Sequence, residues 1–197
     1  MTGNTFKEDG FKLVRGLINP IEVFAEFQNL KKKGSNDLSV AGSKYYQKIE
    51  TFEKLLEDVL PEIEKHTGYK LYKTYSFARQ YELGNILQPH RDRNACEISV
   101  TIPLYNEGEP WPIWILDKDE VPQSIVLNPG DALIFKGIQH MHWRAKNVYG
   151  SSFNVFLHYV DQEGSLSRHK NDKHRGFGLS FKVLKRHVSL YVTRLAK

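Results

Sequence analysis

PHRDRNACEISVTIPLY, residues 89–105, sets a histidine and an aspartate two positions apart, His90 and Asp92, just ahead of a run that reads as a buried strand. On an extended backbone, residues i and i+2 project to the same side. An imidazole and a carboxylate on one side can both donate to one divalent metal ion. H-x-D alone is weak evidence, since most such pairs are surface residues. A third ligand has to come from elsewhere, and NPGDALIFKGIQHMHWRAK, residues 128–146, supplies candidates. Asn128-Pro129-Gly130-Asp131 reads as a tight turn, ALIF as a buried strand and Gly137 as a second turn. His140, His142 and Arg144 then share one facing on the next extended segment. Two histidines and one carboxylate on one face of a metal favour non-haem Fe(II), with positions left open for co-substrate and dioxygen. A Zn(II) hydrolase could use the same three residues with water in the fourth position.

The surrounding pattern is helix first, strand later. NPIEVFAEFQNLKKKG, residues 19–34, has Asn19 as N-cap and Pro20 at the first helical position. Ile21, Phe24, Phe27 and Leu30 recur at helical spacing. KYYQKIETFEKLLEDVLPEIEKHTG, residues 44–68, repeats the pattern with Ile49, Phe52, Leu56, Val59 and Ile63, and Pro61 should kink or divide it. Residues 1–68 are thus expected to be helical support packed on one face of a sheet. After Gly68 the chain alternates: KLYKTYSFARQYEL, EISVTIPLY, PIWIL, QSIVL, DALIF and SSFNVFLHYV are strand-like. The breaks NEGEP, DKDEVP and NPGD carry turn chemistry. Some seven or eight short, evenly spaced strands over 69–160 point to a sandwich, barrel or jelly-roll core. From Asp161 a basic C-terminal extension runs to residue 197. Its SRHKNDKHRG reads as a loop, while its last stretch is undecided between strand and helix.

Composition bounds the rest. At 197 residues the chain suits one domain, and 40% apolar with 12% aromatic residues is enough for a sizeable core. No run approaches the ~20 apolar residues of a membrane span, and MTGNTFKEDG lacks the order of a signal peptide. Cys96 is the only cysteine, which excludes an intramolecular disulfide and a cysteine zinc cage and makes a reducing cytoplasm the simplest compartment. A formal charge of +5 is mild; it suits an anionic substrate or nucleic acid, though a solvated surface explains it equally.

HRD, the distal HWR after PGDALIFKG, and ARQYELGNILQPHRD ahead of the first motif resemble the 2-oxoglutarate and Fe(II)-dependent oxygenase superfamily, and within it the prolyl-hydroxylase-like branch. The resemblance runs from about Phe77 to Val160. It implies a mainly β fold, a double-stranded β-helix or jelly-roll with helices packed on the major sheet, and His90, Asp92 and His142 as the iron ligands and catalytic centre. It selects His142 over His140 through the HWR triplet. It implies 2-oxoglutarate as co-substrate, dioxygen as oxidant, succinate and carbon dioxide as co-products, and hydroxylation of a peptidyl residue, prolyl by analogy, or of a small molecule. Many relatives anchor the far carboxylate of 2-oxoglutarate with an Arg or Lys about ten residues after the distal histidine. This chain has Ser151 and Ser152 there. Arg144 is the replacement candidate, with Arg79 second, Tyr81 as a hydrogen-bond donor, and Ser152 and Asn154 assisting.

Other residues have plainer expectations. Arg91 and Arg93 should face away from the metal and pair with neighbours such as Glu97, or Arg93 could orient Asp92. His158 should be a hydrogen-bonded core histidine and Cys96 a small core residue. Trp111, Trp114 and Trp143 should be packing, although Trp111 sits at a loop expected to rim the pocket. The departure at Ser151–Ser152 keeps two alternatives open: a metal-dependent hydrolase or isomerase on the same jelly-roll, and a non-catalytic binding module on a relic oxygenase scaffold. A nucleic-acid repair oxygenase has only the basic segment for support.

Overall fold

The computed structural model describes residues 6–172. A short helix α1 (Phe6–Asp9) leads into strand β1 (Phe11–Val14). Helix α2 (Pro20–Asn29) starts as its sequence suggests: the Asn19 side chain accepts from the Ile21 N–H, and Pro20 fills the first turn, where its missing donor costs nothing. A hairpin of β2 (Ser35–Asn36) and β3 (Lys44–Gln47) follows. Helices α3 (Glu50–Asp58) and α4 (Leu60–Thr67) come next; Pro61 sits in the first turn of α4 and divides the two, and Gly68 closes α4 in the left-handed conformation at φ 72°. The strands β4 (Leu71–Tyr81), β5 (Leu87–His90), β6 (Ile98–Asn106), β7 (Ile113–Leu116), β8 (Pro122–Ile125), β9 (Ala132–Lys136), β10 (His142–Arg144) and β11 (Ser152–Asp161) complete the described chain.

The strands form two antiparallel sheets. The major sheet runs β1-β9-β6-β11-β4-β3-β2 and the minor sheet β5-β10-β7-β8. The helices cover the outer face of the major sheet. Phe27, Phe52, Leu56 and Ile63 from α2–α4 pack against Ile102, Phe153, Val155 and Leu157 from β6 and β11. The other face of the sheet meets the minor sheet through Ile113, Ile115, Leu133 and Phe135. This two-sided cover explains why ISVTIPL in β6 is buried at every position, with no polar-out alternation. It is the expected mainly β jelly-roll with helices on the major sheet.

The helical expectation for residues 1–68 needs correction: β1, β2 and β3 lie inside it. KYYQ was expected to open a helix, but it forms β3 on the edge of β4, with Tyr46 packed on Phe27 and Phe153 at 5.0 and 5.4 Å. Pairing with a neighbouring strand and burial of an aromatic outweigh local periodicity here. Ile49, Phe52, Leu56, Val59 and Ile63 are all buried as expected, whereas in α2 Phe27 is buried and Ile21 is 77% exposed. Most of the basic extension, residues 173–197, lies outside the described residues. Only its start, with a 3-10 turn at Ser167–Asn171, is seen.

Candidate metal centre and adjoining pocket

Strands β5 and β10 pair antiparallel with His142 opposite His90. The turn after β5 brings Asp92 back under them, its N–H donating to Gly137 O at 2.9 Å. The ligand atoms of His90, Asp92 and His142 lie within 4.8 Å of one another. Asp92 Oδ1 stands 3.8 Å from His90 Nε2 and 3.7 Å from His142 Nε2. His90 Nδ1 meets Gln88 O at 2.8 Å and His142 Nδ1 meets His140 O at 3.1 Å. A carbonyl only accepts, so both Nδ1 atoms carry the proton and both Nε2 lone pairs are free and convergent. Desolvation, reinforced by His142, lowers the pKa of His90 to about 4, although its ring keeps 39% of its surface open. Burial works against ionisation of Asp92, but His142, His90, His158 and Ser99 together hold its pKa below the usual carboxylate value. At neutral pH His90 is therefore a neutral imidazole and Asp92 a carboxylate, the protonation states that metal ligation requires of them.

Deeper between the sheets lie the two candidate arginines, and they differ. Arg79 is engaged: Nε and a terminal nitrogen meet Asp37 Oδ2 at 2.8 and 2.6 Å, and the other contacts are Ser39 Oγ at 3.0 Å and Tyr81 Oη at 2.9 Å. Arg144 is only 3% exposed and has no acidic partner among the described residues. It donates to Trp111 O and, at 3.1 Å, to Asn154 Oδ1, while its buried Nε has no partner. Burial, with Arg79 nearby as a lesser cause, lowers its pKa to about 10, so it is still charged at neutral pH. Asn154 is itself held by Ser152 Oγ at 2.8 Å, and Ser152 donates to Asn106 at 2.7 Å. A buried guanidinium with an orphaned N–H and no acidic partner among the described residues has the donor chemistry to accept a carboxylate.

No protein-family model and no curated protein matches the sequence. Solved structures do match the fold. HygX from Streptomyces hygroscopicus, with nickel and 2-oxoglutarate bound, aligns at TM-score 0.66 and 12% identity, covering 80% of this chain and 85% of that one. The non-haem α-ketoglutarate-dependent epimerase SnoN from nogalamycin biosynthesis aligns at 0.66 and 15% identity, over 79% of each chain. A prolyl-4-hydroxylase from Pseudomonas putida aligns at 0.59 and 12% identity, over 78% and 94%. The chain has the fold of the 2-oxoglutarate/Fe(II) oxygenases. On this oxygenase fold, the converging triad and the buried Arg144 fit a divalent metal and a dicarboxylate through their own donor chemistry.

Several expectations change within the oxygenase fold. His140 is not one of the converging ligands. It precedes β10, its Nδ1 meets Leu116 O at 2.7 Å, and its ring stands edge-on to Phe11 at 5.9 Å. Arg93 takes Asp172 as an acidic partner, gripping it through both terminal nitrogens, and lies over the Tyr75 ring at 4.8 Å. Trp111 is not a rim residue. It is buried beneath Arg144, 5.1 Å from the guanidinium, and edge-on to Tyr81 at 5.0 Å. Trp114 and Trp143 stack on each other at 6.1 Å. The residue missed outright is Ser99, whose Oγ donates to Asp92 Oδ2 at 2.6 Å. A serine among the aliphatic residues of EISVTIPLY was its one signal. Gly137 is the other: a Cβ there would sit 2.5 Å from Asp92 Oδ2 and from Ser99 Oγ.

Proposed function

We propose that the chain is a non-haem Fe(II)- and 2-oxoglutarate-dependent dioxygenase that hydroxylates a peptidyl or small-molecule substrate. The observation that carries this reading is the pairing of a convergent His90–Asp92–His142 cluster with one buried, uncompensated cation, Arg144. His90 Nε2, His142 Nε2 and Asp92 Oδ1 hold the metal. Arg144 binds the far carboxylate of 2-oxoglutarate; Asn154, tethered through Ser152 to Asn106, fixes the guanidinium plane. Tyr81, oriented by Arg79, lines the same space. Arg79 acts as a support for this wall, since Asp37 and Ser39 already engage it. When bound, iron and 2-oxoglutarate supply the oxidising chemistry, with succinate and carbon dioxide as co-products and a hydroxylated C–H bond as the result. The chain contributes position and dryness. Phe77 and Phe156, stacked at 4.6 Å, wall the interior with apolar surface and help exclude water from it. A prolyl substrate is favoured only by likeness to prolyl hydroxylases, and a shared fold does not fix a substrate.

The hydrolase and relic-scaffold alternatives rested on the absent anchor at Ser151–Ser152. Arg144 is a candidate for that anchor, and a buried cation without a counter-charge is costly to keep for packing alone. The test is turnover: iron-loaded protein incubated with 2-oxoglutarate, ascorbate and panels of proline-containing peptides and small molecules, with succinate measured. Substrate-stimulated succinate release is expected. Absence of succinate from every iron-loaded preparation, uncoupled turnover included, would overturn the proposal.

A further inference from the structure

Asp92 Oδ1 faces the two histidines, while Oδ2 is 2.6 Å from Ser99 Oγ. Ser99 is buried on β6, directly across the ladder from His158 on β11, and its Oγ lies 3.1 Å from His158 Nδ1. The proton order follows from what each group can do. Two neighbours of Ser99 Oγ only accept, the ionised Asp92 carboxylate at 2.6 Å and Cys96 O at 3.3 Å, and the single Ser99 proton goes to the shorter, charge-assisted contact with Asp92. Ser99 Oγ must then accept from His158, which fixes the proton of His158 on Nδ1. The imidazole packs beside the Tyr75 ring at 4.7 Å and the Phe77 ring at 5.7 Å. Gly137 makes this approach possible, since a Cβ there would sit 2.5 Å from both Asp92 Oδ2 and Ser99 Oγ.

We propose that His158 and Ser99 form a positioning relay that pins the outer oxygen of Asp92 and so presents Oδ1 alone to the metal, keeping the carboxylate monodentate and a coordination position open. This rests on the metal-centre reading above. His158 holds Ser99 in its donating orientation, and Ser99 holds Asp92. Neither touches the metal. Outer partners of this kind typically govern metal affinity by about ten- to a hundredfold.

The experiment is Co(II) titration of the full chain, read by affinity and by the visible ligand-field spectrum, beside near-UV circular dichroism and thermal unfolding. Ser99→Ala is expected to weaken Co(II) binding about ten- to a hundredfold and to change the spectrum, while the dichroism stays native. His158→Phe keeps a ring against Tyr75 and Phe77 but removes the donor, and should reproduce most of the loss. His158→Asn places an amide N–H near the former Nδ1 and should restore binding. The double variant Ser99→Ala/His158→Phe should be little worse than Ser99→Ala, because the two act in series. Wild-type affinity in His158→Phe, or additive losses in the double variant, would overturn the relay. If Ser99→Ala does not fold, the contrast between His158→Phe and His158→Asn decides alone, and equal loss in both overturns the relay. Failure of the wild-type chain to bind Co(II) would instead strike the metal-centre reading itself.

Discussion

Arg144 carries a buried charge that the described residues leave unbalanced, and on the proposed reading the far carboxylate of 2-oxoglutarate would balance it. Truncating one side of such a pair costs about 2 kcal/mol or more, roughly thirtyfold in affinity. Arg144→Ala is therefore expected to raise the dissociation constant for 2-oxoglutarate at least about thirtyfold, while leaving Co(II) affinity near wild type. Calorimetry on the cobalt-loaded protein measures both. An unchanged dissociation constant would reassign the anchor. The arginine was legible from sequence as a facing residue, two positions after His142. Its lack of a counter-charge was not, because that depends on Asp37 pairing with Arg79, a partner 42 residues away in sequence. Ser99 was hidden for a related reason. Its importance lies in the approach of three segments, Asp92, Gly137 and His158, to one hydroxyl.

At the scale of elements, two ionic ties hold the sheets' margins. The first joins the β2–β3 loop to β4 through Asp37 and Arg79, both buried. Asp37→Ala leaves Arg79 uncompensated, and breaking such a pair costs about 3–5 kcal/mol. Urea unfolding should show that loss as a lower midpoint with the slope retained, and Asp37→Leu/Arg79→Leu should recover much of it; a loss under about 1 kcal/mol would mean the loop opens and hydrates the arginine. The second tie is Asp131, in the NPGD turn before β9. Burial disfavours its charge, yet the Gly16 N–H, the Arg15 side chain and the Asn128 N–H together lower its pKa below the usual carboxylate value. A depressed carboxylate contributes stability above its ordinary pKa, near 4, and loses it as pH falls through the folded value. Wild-type thermal stability should thus fall with acidification below about pH 4, and Asp131→Asn should be less stable at pH 7 and less sensitive to acid. Parallel pH profiles for the two proteins would contradict this role. The turn itself was plain in the sequence; that its last residue also tethers the segment after β1 was not, since Arg15 and Asp131 are 116 positions apart.

Over the whole molecule, what the sequence disclosed was local and periodic. The division at Pro61, the α2 cap at Asn19 and the buried strand behind His90 are set by neighbours a few residues away. The strands at 11–14 and 44–47 escaped because they are short elements near the sheet's margins whose partners, β9 and β4, are distant in the chain. The triad is a long-range feature that sequence still revealed, since β5 and β10 pair with His142 directly opposite His90. Among the described residues no helix is long and apolar enough to cross a membrane. The central claim is that one molecule of 2-oxoglutarate spans from the His90–Asp92–His142 cluster to Arg144, and anaerobic titration of 2-oxoglutarate into Fe(II)-loaded protein tests it most directly. A weak visible charge-transfer band is expected that saturates in the wild type and is lost in His142→Ala. Retained iron with no band at any co-substrate concentration would contradict the claim.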